Sequence, residues 1–167
     1  MPDVTPVNVL FLCTGNSARS ILSEALLNDL GAPRFRAFSA GSKPGGIPHP
    51  EALAQLRSKG HAVEVYSSKS WDVFAGPEAP VMDIIVTVCG SAAGEVCPVW
   101  PKRGGQNPVA VHWGADDPAH IEPLEARQRA FAEVYDLCRA RIKALTGLPE
   151  DSLRNKAALQ AIADIRA

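Results

Sequence analysis

The chain has 167 residues, 46% hydrophobic and 6% aromatic, and 17 basic against 18 acidic side chains give a formal charge of −1. That length buries one core without staples, and the near-neutral balance excludes a global field that would recruit nucleic acid or an anionic membrane, so an anion must be bound locally. The opening MPDVTP has no basic cluster and the apolar run after it is too short to span a bilayer, so we expect a cytoplasmic protein with no membrane or nucleic-acid partner; a monomer is expected, although no residue pattern fixes the oligomeric state.

Val7 to Leu12 reads as a buried parallel strand, a short apolar run cut off by the turn chemistry of Thr14-Gly15-Asn16. Ser17 is the expected N-cap of a helix on which Ile21, Leu22, Ala25, Leu26 and Leu30 recur at helical spacing until Gly31 stops it. Arg34 to Ala40 is a second strand, ended by Gly41 and the loop KPGGIPHP. A short helix from Glu51 to Lys59 is entered through Pro50, turns Leu53 and Leu56 inward and ends at Gly60. Trp71 to Phe74 suits a helical turn, and Met82 to Val88 is a buried strand that delivers Cys89 to its C-terminal end. Beyond the glycine- and proline-rich stretch Gly90 to Pro108, Val109 to His112 is a fourth strand and Glu125 to Leu145 a long amphipathic helix closing at Gly147. The tail from Asp151 holds one more short helix, with Leu153, Leu159, Ile162 and Ile165 apolar.

Strands alternating with helices predict an α/β fold: a four-stranded parallel sheet with right-handed crossovers, helices on both faces and an extra C-terminal helix. The expected organisation is one domain over 1–167, with its core at about 7–147 and an accessory tail over 148–167. Ligands on such sheets lie beyond the carboxyl ends of the strands, where both Cys13 and Cys89 fall.

Cys13-Thr14-Gly15-Asn16-Ser17-Ala18-Arg19-Ser20 has the form C-x5-R-S at a strand-to-helix junction. Its small residues let successive N–H groups converge on one tetrahedral oxyanion above the helix N-terminus, and Arg19 adds two parallel charge-assisted hydrogen bonds that lysine could not match. The same donors stabilise a thiolate at Cys13, with the Ser20 hydroxyl as a helper. Cys13 is therefore the expected nucleophile, and Thr14, Gly15, Asn16, Ser17, Ala18, Arg19 and Ser20 the expected anion-binding residues. The competing interpretation is a packing cysteine and a solvated arginine. No Gly-Lys-Ser/Thr is present, which excludes a Walker A loop.

His112-Trp113-Gly114-Ala115-Asp116-Asp117-Pro118 offers a carboxylate on the loop after the fourth strand, suited to protonating a leaving oxygen; the alternative is turn and cap chemistry alone. Four cysteines without an export signal are expected to be thiols. Two of them, Cys89 and Cys97, bracket a segment whose Gly90 and Gly94 let it loop so that the thiols meet, as a thiol–disulfide enzyme needs; the alternative is that Cys89 is a packing thiol at the end of a buried strand. Zinc is not expected, because that spacing is wider than usual for ligands and His112 and His120 complete no pattern with it. Cys138 inside the long helix reads as a packing residue, as do Trp71, Trp100 and Trp113, while His49, His61 and His120 read as solvent-exposed.

On these residues the chain resembles the low-molecular-weight protein tyrosine phosphatase family, whose cysteine-arginine loop it shares, and more closely the arsenate reductases built on that fold. The likeness covers most of Val7 to about Leu145 and implies a flavodoxin-like three-layer sandwich. It also implies a thiol relay: Cys13 attacks arsenate, Asp117, the aspartate directly before proline, supplies the proton, Cys89 attacks Cys13 as arsenite leaves, and Cys97 attacks Cys89 to carry the disulfide to the surface. Thioredoxin, or glutathione with glutaredoxin, would then reduce it; phosphate and sulfate would bind as analogues, and no cofactor would be tightly held. Two departures stand out, Ala18 where many members carry cysteine and Ile21 where the phosphatases continue with proline. Asn16, Glu24 and Ser39 match positions that in some relatives stiffen the loop or bind potassium. Ser67 to Trp71, however, reads SSKSW and lacks the aspartate used there, so potassium dependence is not expected. The alternatives are a phosphatase using Cys13, Arg19 and Asp117 alone, and a non-catalytic oxyanion- or arsenite-binding protein.

Overall fold

The computed structural model describes residues 5–89, 101–102 and 105–166. The expectations for Cys97, Gly90, Gly94 and Trp100 fall outside the described residues. The frame is a four-stranded parallel sheet in the order β2-β1-β3-β4, with β1 at Val7–Cys13, β2 at Phe35–Gly41, β3 at Ile84–Thr87 and β4 at Val109–His112. Among the described residues four α-helices accompany it: α1 at Arg19–Gly31, α2 at Pro50–Ser58, α3 at Leu124–Thr146 and α4 at Lys156–Ala161.

Strand β1 is hydrogen-bonded on both edges and covered on both faces, which is why its sequence is a continuous apolar run rather than an alternation. Val9, Phe11 and Cys13 share a core with Ile21, Leu22 and Leu26 of α1, Leu56 of α2, Phe131, Tyr135 and Ile142 of α3, and Leu159 of α4. Leu10 and Leu12 face the other way, onto Phe74 of the short 3-10 helix Trp71–Phe74, Met82 and Ile85. The chain leaves β1 to form β2 on one side and β3 on the other. The crevice at the carboxyl ends of β1 and β3 is therefore the topological switch point, the usual ligand position on an open α/β sheet.

Most element boundaries agree with the sequence reading to within a residue or two. The β3 ladder is shorter than Met82 to Val88, yet Asp83 N to Asn8 O (2.8 Å) and Val88 N to Leu12 O (2.9 Å) carry the pairing beyond it. Ser17 is not the cap of α1. The helix begins after Ala18 with no side-chain cap, because the backbone before it is committed to a wrapped loop and Ser17 O accepts from His49 N at 2.8 Å. Leu30 is 41% exposed, and nothing described covers it. The tail has a defined job at the sheet edge. Gln160 offers its amide to β4 as a strand would, accepting from His112 N (2.9 Å) and donating to His112 O (2.7 Å), while Trp113 Nε1 donates to Leu159 O. Among the described residues no helix is long and apolar enough to cross a membrane.

Candidate active site

Beyond the carboxyl ends of β1 and β3 lies a cavity of about 590 Å³, lined by Cys13, Thr14, Gly15, Ser17, Ala18, Arg19, His49, Cys89, Asp117, Ala119 and His120. The loop from Thr14 to Ala18 owes its shape to what holds its carbonyls. Thr14 O accepts from Lys43 N (2.9 Å), Gly15 O from Gly45 N (3.1 Å) and from the Ser68 hydroxyl (3.1 Å), and Ser17 O from His49 N (2.8 Å). In a trans peptide the N–H points opposite to the preceding carbonyl, so the N–H groups of Gly15, Asn16 and Ala18 turn inward. Asn16 N donates to Cys13 Sγ at 3.2 Å, as this geometry requires.

The residue that makes the bend is Asn16, with φ at 46°, a left-handed value that asparagine tolerates better than most. Gly15 has ordinary room, since an added Cβ would meet nothing nearer than Ser17 Oγ at 3.6 Å. The glycine that cannot change is Gly41 at the end of β2, where a Cβ would lie 2.4 Å from Thr14 O and 3.0 Å from Asn16 N. Sequence reading assigned Gly41 only the end of a strand; its partner across the sheet, Cys13, was the available signal.

The Asn16 side chain sets the direction of a hydrogen-bond chain ending on Cys13. Its Oδ1 accepts from Lys69 N (2.8 Å), and a main-chain N–H can only donate, so Nδ2 is the atom facing Ser20 Oγ and Ser39 Oγ, each at 2.9 Å. Ser20 Oγ therefore accepts from Asn16, and its proton is left for Cys13 Sγ at 3.2 Å. Ser39 donates in turn to Glu24 Oε1 at 2.5 Å. Burial pushes the Glu24 carboxyl up to about 7 against the opposing pull of the Ser39 hydrogen bond and the Lys69 charge, and burial likewise lowers Lys69.

Arg19 opens α1 and reaches across the cavity mouth. Its Nη1 donates to Ala115 O (2.9 Å) and its Nη2 stands 3.6 Å from Asp117 Oδ2, so the loop after β4 is drawn over the cradle. Asp117 Oδ1 accepts from Ala119 N (3.0 Å), which aims the carboxylate; Asp116 instead lines a neighbouring depression with Ile121 and Glu133. The base of this loop is fixed by a residue the sequence did not suggest. Arg141, 3% exposed on α3, donates to Gly114 O and Ala163 O, each at 2.9 Å.

Cys89 is buried, its Sγ 3.5 Å from the Thr14 hydroxyl, and it opens on the same cavity as Cys13 because Val88 is still paired with Leu12. Cys138 packs in the core beside Ser23, and burial pushes its thiol up. Trp113 is buried, and Trp71, the first residue of the 3-10 helix, is partly buried against the Leu10, Leu12 and Phe74 cluster. Of the histidines read as solvent-exposed, only His120 is open, with Nε2 4.0 Å from Asp117 Oδ2. His49 accepts from Glu51 N as the cap of α2 and lies against Phe131 on the cavity side. His61 is folded back after α2 onto Asp29 and the Tyr135 hydroxyl, which removes it from solvent. Among the described residues no group of three or more His, Cys, Asp or Glu is arranged to hold a metal ion.

The model of a family described as low molecular weight phosphotyrosine protein phosphatase matches residues 8–159, a span that reaches into α4. An arsenate reductase of Halalkalibacterium halodurans is 35% identical over 136 residues, which is 81% of this chain and 91% of that protein. A crystal structure of an arsenate reductase from Archaeoglobus fulgidus is similar at a TM-score of 0.59 and 29% identity, covering 84% of this chain and 99% of that one. A thioredoxin-dependent arsenate reductase of Corynebacterium glutamicum is similar at a TM-score of 0.56 and 26% identity, covering 86% of this chain and 62% of that one.

Proposed function

This chain belongs to the low molecular weight phosphotyrosine protein phosphatase family, and from that premise we propose that it is an arsenate reductase working by a thiol relay. The observation that carries the reading is that Cys13 and Cys89 line one cavity with Arg19 and Asp117, whereas ester hydrolysis has no use for the second sulfur. Identity of 35% to a curated arsenate reductase over most of both chains supports it.

The steps follow from thiolate chemistry. Arsenate sits on the inward N–H groups and the Arg19 guanidinium; Cys13 attacks arsenic, Asp117 gives a proton to the departing oxygen, and water leaves a Cys13–arsenic adduct. Cys89 as thiolate then attacks Cys13 sulfur. The sulfur–arsenic electron pair stays on arsenic, which falls from the +5 to the +3 state and leaves as arsenite, while a Cys13–Cys89 disulfide forms. Cys97 attacks Cys89 sulfur, returning Cys13 as thiolate and passing on a Cys89–Cys97 disulfide for an external dithiol to reduce.

We infer thioredoxin as that reductant, by analogy with the relative from Corynebacterium glutamicum, with glutathione and glutaredoxin as the competing system, and we place the single-domain protein in the cytoplasm as a monomer. The test is turnover. Purified protein with arsenate, NADPH and thioredoxin reductase is expected to form arsenite when thioredoxin is added, and the Cys89→Ser variant to form none. Arsenite production by Cys89→Ser at the wild-type rate would end the proposal. The same cradle also accepts phosphate esters, so slow hydrolysis of p-nitrophenyl phosphate is expected from both proteins; a fast rate unaffected by Cys89→Ser, with no arsenate reduction, would favour the phosphatase reading.

A further inference from the structure

Behind the cradle, on the side away from the cavity, a lysine and a glutamate occupy a corner that the relay does not use. Lys69 is bound at every polar atom of this corner: Nζ donates to Ser39 O (2.9 Å) and Ser67 O (2.7 Å), its N–H holds Asn16 Oδ1 (2.8 Å), and its carbonyl accepts from Gly41 N (2.9 Å). One residue thus ties the 67–70 segment, the end of β2 and the anion loop together. Glu24 is buried on α1 and reaches the same corner through the Ser39 hydroxyl, while Asn16, Ser20 and Ser39 are themselves fully buried. Asn16, Ser20 and Ser39 fill the path between this pair and the cavity, so the buried Glu24 charge is weakly screened along it, and the half-buried Lys69 charge more strongly.

We propose that Lys69 is a positioning residue that tunes the grip of the cavity on its oxyanion: its ammonium offsets the Glu24 charge while its clamp holds Asn16 and Ser39 in place. The inference rests on reading the cavity as an oxyanion site, not on the reduction of arsenate. An ionised Glu24 alone would repel an anion in the cradle, and Lys69 alone would attract it; together they are nearly neutral. Burial raises Glu24 to about 7, and Lys69 is the charged neighbour that opposes this rise. Burial, helped by the charges of Asp29 and then Glu24, pushes the Tyr66 hydroxyl up to about 12, so it stays neutral. On the cavity side the groups that carry or change charge are Arg19, Asp117, His49, His120 and Cys13. Above pH 7 the pair is therefore compensated, and below it Lys69 is left as a net positive charge behind the cradle.

The test is calorimetric titration with inorganic sulfate at low ionic strength. Each protein carries Cys13→Ser so that the thiol's charge does not enter, and ratios to the reference at one pH cancel the shared histidines. At pH 8 Glu24→Gln is expected to bind sulfate about threefold to tenfold more tightly than the reference, and Lys69→Met more weakly by a smaller factor, because Glu24 without the lysine's opposing charge holds its proton to higher pH. The double variant should bind more tightly than Lys69→Met alone, since it no longer carries an uncompensated Glu24 charge. At pH 6, where Glu24 of the reference is protonated, the advantage of Glu24→Gln should shrink below about twofold. Weaker or unchanged binding by Glu24→Gln at pH 8 would overturn the proposal, because a purely structural role predicts that sign, and so would unchanged binding by Lys69→Met. Should Lys69→Met fail to fold, the comparison of Glu24→Gln with the reference at the two pH values decides alone. A protein that binds sulfate in this pattern but does not reduce arsenate would leave this inference standing and remove only the relay.

Discussion

Replacing Asn16 by alanine isolates what holds the anion loop in shape. The side chain makes three hydrogen bonds at a site with 0% exposure, one from Lys69 N and two to the Ser20 and Ser39 hydroxyls. The losses are unequal. Lys69 N would be left without an acceptor, whereas Ser20 and Ser39 keep Cys13 and Glu24 as partners. Orphaning a buried donor costs about 1–3 kcal/mol and losing a satisfied bond about 0.5–1.5 kcal/mol, so the three together amount to about 2–6 kcal/mol. Alanine at φ 46° adds about 1 kcal/mol of backbone strain that glycine would escape. Urea unfolding of wild type, Asn16→Ala and Asn16→Gly measures this. The expected order of stability is wild type, then glycine, then alanine, with the anion loop losing sulfate affinity in both variants. A loss under about 0.5 kcal/mol for Asn16→Ala would refute the claim that this side chain organises the loop, since ordinary surface substitutions fall in that range.

The remaining expectations are narrower. Gly41→Ala pushes a methyl group to within 2.4 Å of Thr14 O, a backbone atom that cannot swing away, so sulfate binding should fall severely while Gly15→Ala stays close to wild type; equal behaviour of the two, by titration, would contradict the geometry. Asp117→Asn should slow arsenate turnover by about 10²–10⁴-fold and Asp116→Asn by less than about twofold, read from steady-state arsenite formation; the reverse order would reassign the acid. Glu24 binds its proton more tightly folded, at about 7, than unfolded, at 4.5, so its contribution to stability is full below pH 4.5 and is lost as pH rises to about 7. Urea unfolding of Glu24→Gln should therefore gain on wild type across that window, by at most about 3 kcal/mol, and a constant difference across it would show that Glu24 does not titrate there.

Much of this was legible because local and global signals agreed. The apolar run of β1, the C-x5-R-S loop and the helical spacing from Glu125 each identify an element by themselves, and the carboxyl-end rule then brings Cys13 and Cys89 to one crevice. What stayed hidden depends on contacts distant in sequence. Gly41 is constrained by Thr14, 27 positions away, and Arg141 by the carbonyls of Gly114 and Ala163; neither leaves a periodic trace. SSKSW registered only as the absence of an aspartate, although Ser68 and Lys69 within it hold Gly15 and Asn16. His61 looked like a loop residue because nothing in its neighbourhood announces Asp29 or Tyr135. Ser17 looked like a cap because it is the right residue type before a helix, but its carbonyl was already needed to turn the loop.

The central claim, that the sulfur of Cys89 takes over from Cys13 as arsenic is reduced, is tested most directly by one turnover of Cys97→Ser. Reduced protein is mixed with arsenate without external reductant, quenched with acid and iodoacetamide, and its disulfides mapped by mass spectrometry beside the arsenite released. The account predicts a Cys13–Cys89 disulfide in step with one arsenite per protein. Arsenite appearing with Cys89 fully alkylated would contradict it.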